Sequence, residues 1–312
     1  MDEPIRFSLQ AAPTRPAEWV ILAKRCERAG FAGLTVADHP GTGPAPFVSL
    51  AAAAAVTSKI RLGSYVANAG FWEPLALASE VATLDVISAG RAVLGVGAGH
   101  TPAEWTMRGL DYPPAAQRVE RMIELIEVTR RLIAGEAVTF HGHHIRTEVA
   151  RLSEPVTVQE TIPLLVGGNG RRVLHYAAQH ADVVALSGLG RTLPDGYRHE
   201  VEWATDRVEE RIALVHLAAD AVGRSPALEA LVQRLEITDD ASGAATELAE
   251  QLQGVTAEDL LAAPYVLFGT VDEIVAELHS HQRRWGISRF VVRAAALDAA
   301  ERVIARLHQD AA

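Results

Sequence analysis

Hydrophobic positions along this chain follow two alternating rhythms. Short apolar or β-branched runs alternate with longer stretches whose apolar residues recur every three or four positions, the patterns of buried strands and amphipathic helices. Ile5 to Gln10 is a β-type run, and Pro16 to Gly30 is a helix closed by its glycine. Leu34 to Ala37, Ile60 to Ala67 and Ala92 to Val96 predict three more strands. Helices from about Pro46 to Thr57 and from Pro74 separate them, and a stripe of Val119, Met122, Ile123 and Ile126 marks the next helix. The four strands begin near residues 5, 33, 60 and 92, so one strand–helix unit takes 27 to 32 residues. Parallel strands joined by helical crossovers need that length.

The rhythm pauses between about 135 and 162. There Ala137 to Phe140 and His144 to Thr147 flank Gly142 and predict a hairpin-bearing insertion between the fourth and fifth strands. Pro163 to Val166, a helix from Gly170, and Asp182 to Leu186 restore the pattern. Ser187 to Tyr197, polar and broken by Gly and Pro, reads as a long mobile loop. A helix over 206–221, a seventh strand from Leu231 to Ile237 and two short helical stretches follow. Thr270-Val-Asp-Glu273 is a capping-box start, Arg289 to Arg293 the eighth strand, and Asp298 to Leu307 the last helix. The first strand runs into Ala11-Ala-Pro-Thr-Arg-Pro16, without the Gly-x-Gly-x-x-Gly turn of a doubly wound dinucleotide fold. The expectation is therefore an α/β fold of the closed (β/α)8 barrel type, one domain over residues 1–312. Such barrels typically take about 250 residues as one unit.

Composition narrows the partners. Hydrophobic residues make up 49% and charged residues 22%, enough apolar material for one soluble core. The net charge is -10 and no Lys/Arg-rich run occurs, so the electrostatic footprint of a nucleic-acid binder is missing. The apolar stretch Pro46 to Val56 is mostly alanine and falls short of the roughly 20 residues that span a bilayer. Met1-Asp2-Glu3-Pro4 carries acids where a signal peptide carries positive charge, so a cytoplasmic protein without a membrane partner is expected. The single cysteine, Cys26, excludes an intrachain disulfide and lies on a stripe with Trp19, Leu22, Ala23 and Ala29, the setting of a small buried group.

Active sites of such barrels sit in the loops after each strand. The second strand leads into Ala37-Asp38-His39-Pro40, where a histidine can give or take a proton near neutral pH. Gly63 to Asn68 follows the third, and Gly95-Val-Gly-Ala-Gly99-His100 the fourth. Alternate glycines there either admit a flat ring or only relieve crowding inside the barrel. Glu104 and Arg118 beyond them read as a salt bridge shaping the loop. After the fifth strand, Val166-Gly-Gly-Asn-Gly-Arg171 runs straight into a helix. Exposed N–H groups, the positive helix terminus and the arginine fork suit a phosphate-bearing cofactor, the alternative being an ordinary loop capped by Asn169. Phe140-His-Gly-His-His144 lacks cysteines or paired carboxylates and reads as a surface hairpin rather than a metal site. No Gly-x-Ser-x-Gly elbow supports a hydrolase. Phe71, Trp72, Trp105 and Tyr112 are candidates for an apolar pocket wall or for core packing.

Taken in order, these segments resemble the luciferase-like monooxygenase superfamily, and most of all its branch of F420-dependent oxidoreductases. The matching pieces are Glu27-Arg-Ala-Gly-Phe31, Ala37-Asp38-His39, Leu62-Gly63, Ile87-Ser-Ala-Gly-Arg91, Leu94 to Gly99, Glu104, Arg118, Pro163 to Gly168, Ala177-Ala178 and Ala181-Asp182. The resemblance implies coenzyme F420 lying in the barrel mouth, its phosphate held by Gly167, Gly168, Asn169, Gly170 and Arg171. It implies a ring backed by a bulge at Ser64, Tyr65 and Val66, often a non-proline cis peptide in relatives, with Gly97, Gly99 and His100 alongside. The substrate, a small organic molecule, would sit beside Asp38 and His39, with hydride transfer at the ring's C5 and His39 as proton shuttle. Some relatives carry a glutamate where His100 stands, a departure that disfavours a sugar-phosphate dehydrogenase. Two other readings stay open: an FMN-dependent monooxygenase using reduced flavin and oxygen, and a cofactor-binding protein without catalysis. Relatives are commonly dimers, so a homodimer is expected.

Overall fold

The computed structural model describes residues 3–193, 199–252 and 254–310. Its central sheet closes on itself. Strands β1 (Arg6–Gln10), β2 (Gly33–Val36) and β3 (Arg61–Ser64, resuming at Ala67–Asn68) are followed by β4 (Ala92–Gly97) and β5 (Leu164–Gly167). The ring continues through β6 (Val183–Leu186), β7 (Ala227–Leu231) and β8 (Ile287–Arg293). All neighbours pair in parallel, and β8 returns to β1 with Arg6 opposite Arg289. The β3–β4 pairing, Leu62 opposite Ala92, completes the (β/α)8 barrel.

Local chemistry sets the helices between the strands. Pro16 starts α1 (Pro16–Ala29), where its missing N–H costs nothing, and Gly30 ends it at a φ of 88°. Proline also opens α2 (Pro46–Ala54), α3 (Pro74–Ile87) and the short α4 (Pro102–Met107). The outer ring then runs through α5 (Ala115–Ile133), α6 (Arg171–His180), α7 (Thr205–Asp220), α8 (Ala241–Glu250) and α9 (Ala257–Ala262). The chain closes with α10 (Val271–Trp285), whose Thr270–Glu273 capping box forms as the sequence predicts, and α11 (Leu297–Asp310). Outward-facing strand residues such as Leu9, Leu34 and Val292 pack against these helices in the main core. Inward-facing Leu165, Val183, Ala185, Leu231 and Val291 cluster around the Tyr65 ring inside the barrel. Each large apolar side chain so buried contributes about 1.5–3 kcal/mol.

The insertion contains the predicted hairpin, Val138–His141 paired with Arg146–Ala150. The Glu124 carboxylate on α5 pins its turn by accepting the N–H groups of His143, His144 and Ile145 at 2.7–2.8 Å.

Two expectations are corrected. The seventh barrel strand is Ala227–Leu231, whereas Arg234–Ile237 leaves the barrel to pair with Val266–Gly269. The inward Glu229 breaks the apolar run, which drew the reading toward the next apolar stretch. Ser187 to Tyr197 is not simply a loop, because Leu189–Thr192 pairs with His199–Val201 across the barrel mouth. Residues 194–198 of that segment lie outside the described residues.

Candidate active site

Asp38 and His39 leave β2 side by side but turn apart. Asp38 is buried, and its Oδ2 accepts the Asn68 N–H at 2.9 Å and the Trp72 Nε1–H at 2.7 Å. Burial pushes its carboxyl above the ordinary range; the two donors oppose that shift, and the nearby Glu104 charge adds to it. His39 keeps 41% of its side chain exposed, and its Nδ1 lies 2.7 Å from Oε1 of Glu104, which is 1% exposed. The other Glu104 oxygen accepts from Asn68 Nδ2 at 2.7 Å, and Asn68 Oδ1 accepts the Gly70 N–H. With both oxygens accepting, Glu104 places the proton on His39 Nδ1 and leaves Nε2 to exchange one.

The expected Glu104–Arg118 salt bridge does not form. Arg118 donates instead to the carbonyls of Gly99 at 2.8 Å and Pro113 at 2.5 Å, with its guanidinium 4.1 Å from the centre of the Tyr112 ring. Arg118 thus holds the loop by its backbone and frees Glu104 for His39.

Behind these groups β3 is interrupted by a cis Tyr65–Val66 peptide, at the bulge the resemblance placed there. The Tyr65 carbonyl accepts from Gln10 Nε2 at 3.0 Å. Tyr65 turns its ring inward, and the buried Ser64 donates its Oγ–H to the Gly95 carbonyl at 2.7 Å. Only Val66 of the three keeps part of its side chain exposed. A methyl group on Gly97 would meet Val66 Cγ2 at 2.5 Å, and one on Gly167 would meet Cγ1 at 3.1 Å. The room at those glycines is taken by Val66, so they relieve crowding around the bulge. Gly99, at a φ of 75°, would place a side chain 2.2 Å from Asn68 Oδ1, so glycine is required there.

His100 has more than a third of its surface exposed and lies edge-on to His199 at 4.1 Å and to His39 at 5.7 Å. Partial desolvation, then the charges of His199, His39 and Arg118, hold its pKa below the ordinary histidine value. Its carbonyl accepts the hydroxyls of Thr192 at 2.8 Å and Tyr112 at 3.1 Å, tying the crossing hairpin to the rim. His199 and Thr192 carry no sequence motif and were not anticipated. Of the candidate wall aromatics, Trp105 is buried under Gly70, Trp72 is spent on Asp38, and Phe71 stacks on Arg108 at 4.3 Å.

Across the rim, Gly168, Asn169 and Gly170 lead from β5 into α6. Asn169 does not cap the helix. Its Nδ2 donates to the Leu189 carbonyl at 2.9 Å, and its buried Oδ1 has no partner among the described residues. The α6 N-terminus has no side-chain cap and no acid in its first turn, and Gly170 faces open space. Arg171 is exposed, in a surface pair with Glu210 at 3.2 Å. An uncapped, acid-free helix terminus backed by an arginine fits an anionic group.

The pattern of the luciferase-like monooxygenase family matches residues 4–306. The chain belongs to that family. An F420-dependent glucose-6-phosphate dehydrogenase of Nakamurella multipartita is 31% identical over 230 residues, 69% of this chain and 67% of the relative. One from Intrasporangium calvum is 33% identical over 189 residues, 57% of this chain and 56% of the relative. The luciferase-like chain thus aligns with about 56–67% of these relatives' own length. The coenzyme F420-dependent tetrahydromethanopterin reductase of Methanopyrus kandleri shares the fold, with a TM-score of 0.77 at 21% identity over 97% of this chain and 98% of that one.

Among the described residues no cluster of His, Cys, Asp or Glu could hold a metal ion, and no helix is long and apolar enough to cross a membrane.

Proposed function

We propose that this luciferase-like protein is an F420-dependent oxidoreductase that moves a hydride between the deazaflavin and a small organic substrate. The observation that carries the reading is the contact of half-exposed His39 with buried Glu104, on the same rim as the open α6 terminus. The F420-dependent relatives support the choice of cofactor. Gly168, Asn169, Gly170 and Arg171 would hold its phosphate, and the Tyr65–Val66 bulge would back its ring. When bound, F420 supplies a ring carbon, C5, that accepts or releases a hydride.

The residues of this chain then have separate tasks. His39 exchanges the substrate proton through Nε2, and Glu104 fixes its tautomer and steadies the imidazolium. Asp38 is a positioning residue: through the Asn68 N–H and Trp72 it holds the strand-end turn that carries the Glu104 partner. The relatives are named glucose-6-phosphate dehydrogenases, but His100 stands where some relatives carry a glutamate, so the substrate is proposed only as a small organic molecule. Exposed Val48, Leu75, Val86 and Ile87 on the adjoining α2 and α3 support a homodimer, to be checked by light scattering.

Fluorescence titration with F420 and with FMN tests the cofactor. Saturable binding of F420 with weaker or no binding of FMN supports the reading; the reverse, with oxygen consumption, makes the protein an FMN-dependent monooxygenase. F420 binding without turnover for any hydride donor or acceptor would leave only a cofactor-binding protein.

A further inference from the structure

The barrel is hollow at its lower, N-terminal end. Interiors of this fold are usually filled by branched side chains. Here Ser8, Gly33, Thr35 and Gly63 line the inside of β1, β2 and β3, and a cavity of about 330 Å³ remains beneath the Tyr65 ring. It lies at the opposite end of the barrel from His39.

Its walls carry polar groups whose hydrogen-bonding capacity the chain only partly fills. Glu229 and Arg289 stand side by side in the β7–β8 register, and both line the cavity. Arg289 gives its Nη2 to Glu3 at 2.8 Å. Among the described residues, Arg289 Nε has no hydrogen-bond partner, and Glu229 and the hydroxyl of the adjoining Tyr65 face each other without a well-formed hydrogen bond, so a bound hydroxyl can bridge them. Glu229 is 5% exposed, and burial pushes its carboxyl up to about 7, so near neutrality it can donate as well as accept. Arg6 and Arg61 join Arg289 at the opening, and the partner of Arg61 is the neutral Gln159 at 2.7 Å. Of the acids at that opening, Glu3 is taken up by Arg289, and Asp182 is held by the Leu164 N–H and Arg224. An anion is favoured at the arginine end, and a hydroxyl matches the inner end.

We propose that this lower cavity is a second binding site, for a small hydroxylated anion such as a hydroxy acid or a polyol phosphate. Its charge meets Arg6, Arg61 and Arg289, and its hydroxyl groups meet Glu229 and Tyr65. The proposal is independent of the cofactor in the mouth.

Calorimetric titration of the full chain without cofactor tests it, with glycerol 3-phosphate as probe and glycerol and inorganic phosphate as comparisons. Glycerol 3-phosphate is expected to bind at least about tenfold more tightly than either comparison. Arg289→Met is expected to weaken it by about tenfold or more, as is Val93→Phe, which fills the cavity without removing charge. Should Arg289→Met fail to fold, Val93→Phe decides. Absence of binding at millimolar probe, equal affinity for inorganic phosphate, unchanged affinity in the folded variants or displacement by F420 would each overturn the proposal.

Discussion

His39 Nδ1 lies 2.7 Å from Oε1 of Glu104, a half-exposed imidazole resting on a carboxylate that solvent does not reach. The pair joins the loop after β2 to the short helix α4 after β4, 65 positions apart. Because a buried carboxylate accepts but does not donate, the contact fixes which nitrogen carries the proton. Proton exchange at the mouth therefore depends on Glu104 as much as on the histidine.

His39→Ala is expected to lower kcat by about 100-fold or more, with F420 affinity little changed. Glu104→Gln keeps the shape but loses the charge; a smaller fall, about tenfold, is expected. Steady-state kinetics across pH with the fold checked by circular dichroism measures both. A Glu104→Gln enzyme with the wild-type kcat would show that proton exchange at His39 does not depend on Glu104.

Glu229 gives stability a pH dependence of definite sign. Its carboxyl moves from 4.5 up to about 7 on folding, so the native state holds the proton more tightly than the unfolded chain. The stability from this group is complete below pH 4.5 and is lost as pH rises through about 7. Glu229→Gln removes that loss, so its stability relative to wild type should rise between those limits by up to about 3 kcal/mol. Urea unfolding at both ends of the window reads the difference; a constant offset would contradict it.

Cys26 is fully buried on α1, and burial pushes its thiol up to about 12. Thiolate chemistry is accordingly shut down in the native state. A thiol reagent at mildly alkaline pH should label the protein only after denaturant is added. Rapid native labelling would mean that α1 opens.

The barrel was legible in the sequence because seven of its strands are short apolar runs separated by helical stretches. The remaining strand contains Glu229, an inward-facing acid, and pattern alone cannot tell a buried carboxyl from a surface one. At the mouth, the Asp38–His39 turn and the glycine loop before α6 were visible as local motifs. The linkage of Asn68 and Glu104 to that turn was not, since their contacts cross 30 to 65 positions of sequence. Arg118 shows the same limit: its charge drew a partner, whereas its actual acceptors are backbone carbonyls, which leave no trace in sequence.

The central claim is that the open N-terminus of α6 grips an anionic tail and so fixes a redox ring across the mouth. Gly170 has an ordinary φ of −72° and open space around it, so Gly170→Asp fits the fold and caps the helix. The same carboxylate occupies and repels at the anion site. A fluorescence titration of wild type and Gly170→Asp with F420 therefore tests the claim most directly. Saturable wild-type binding, weakened about tenfold or more in the variant at an equal or higher melting temperature, is the predicted result. A flat wild-type titration, or equal affinity in both proteins, would contradict it.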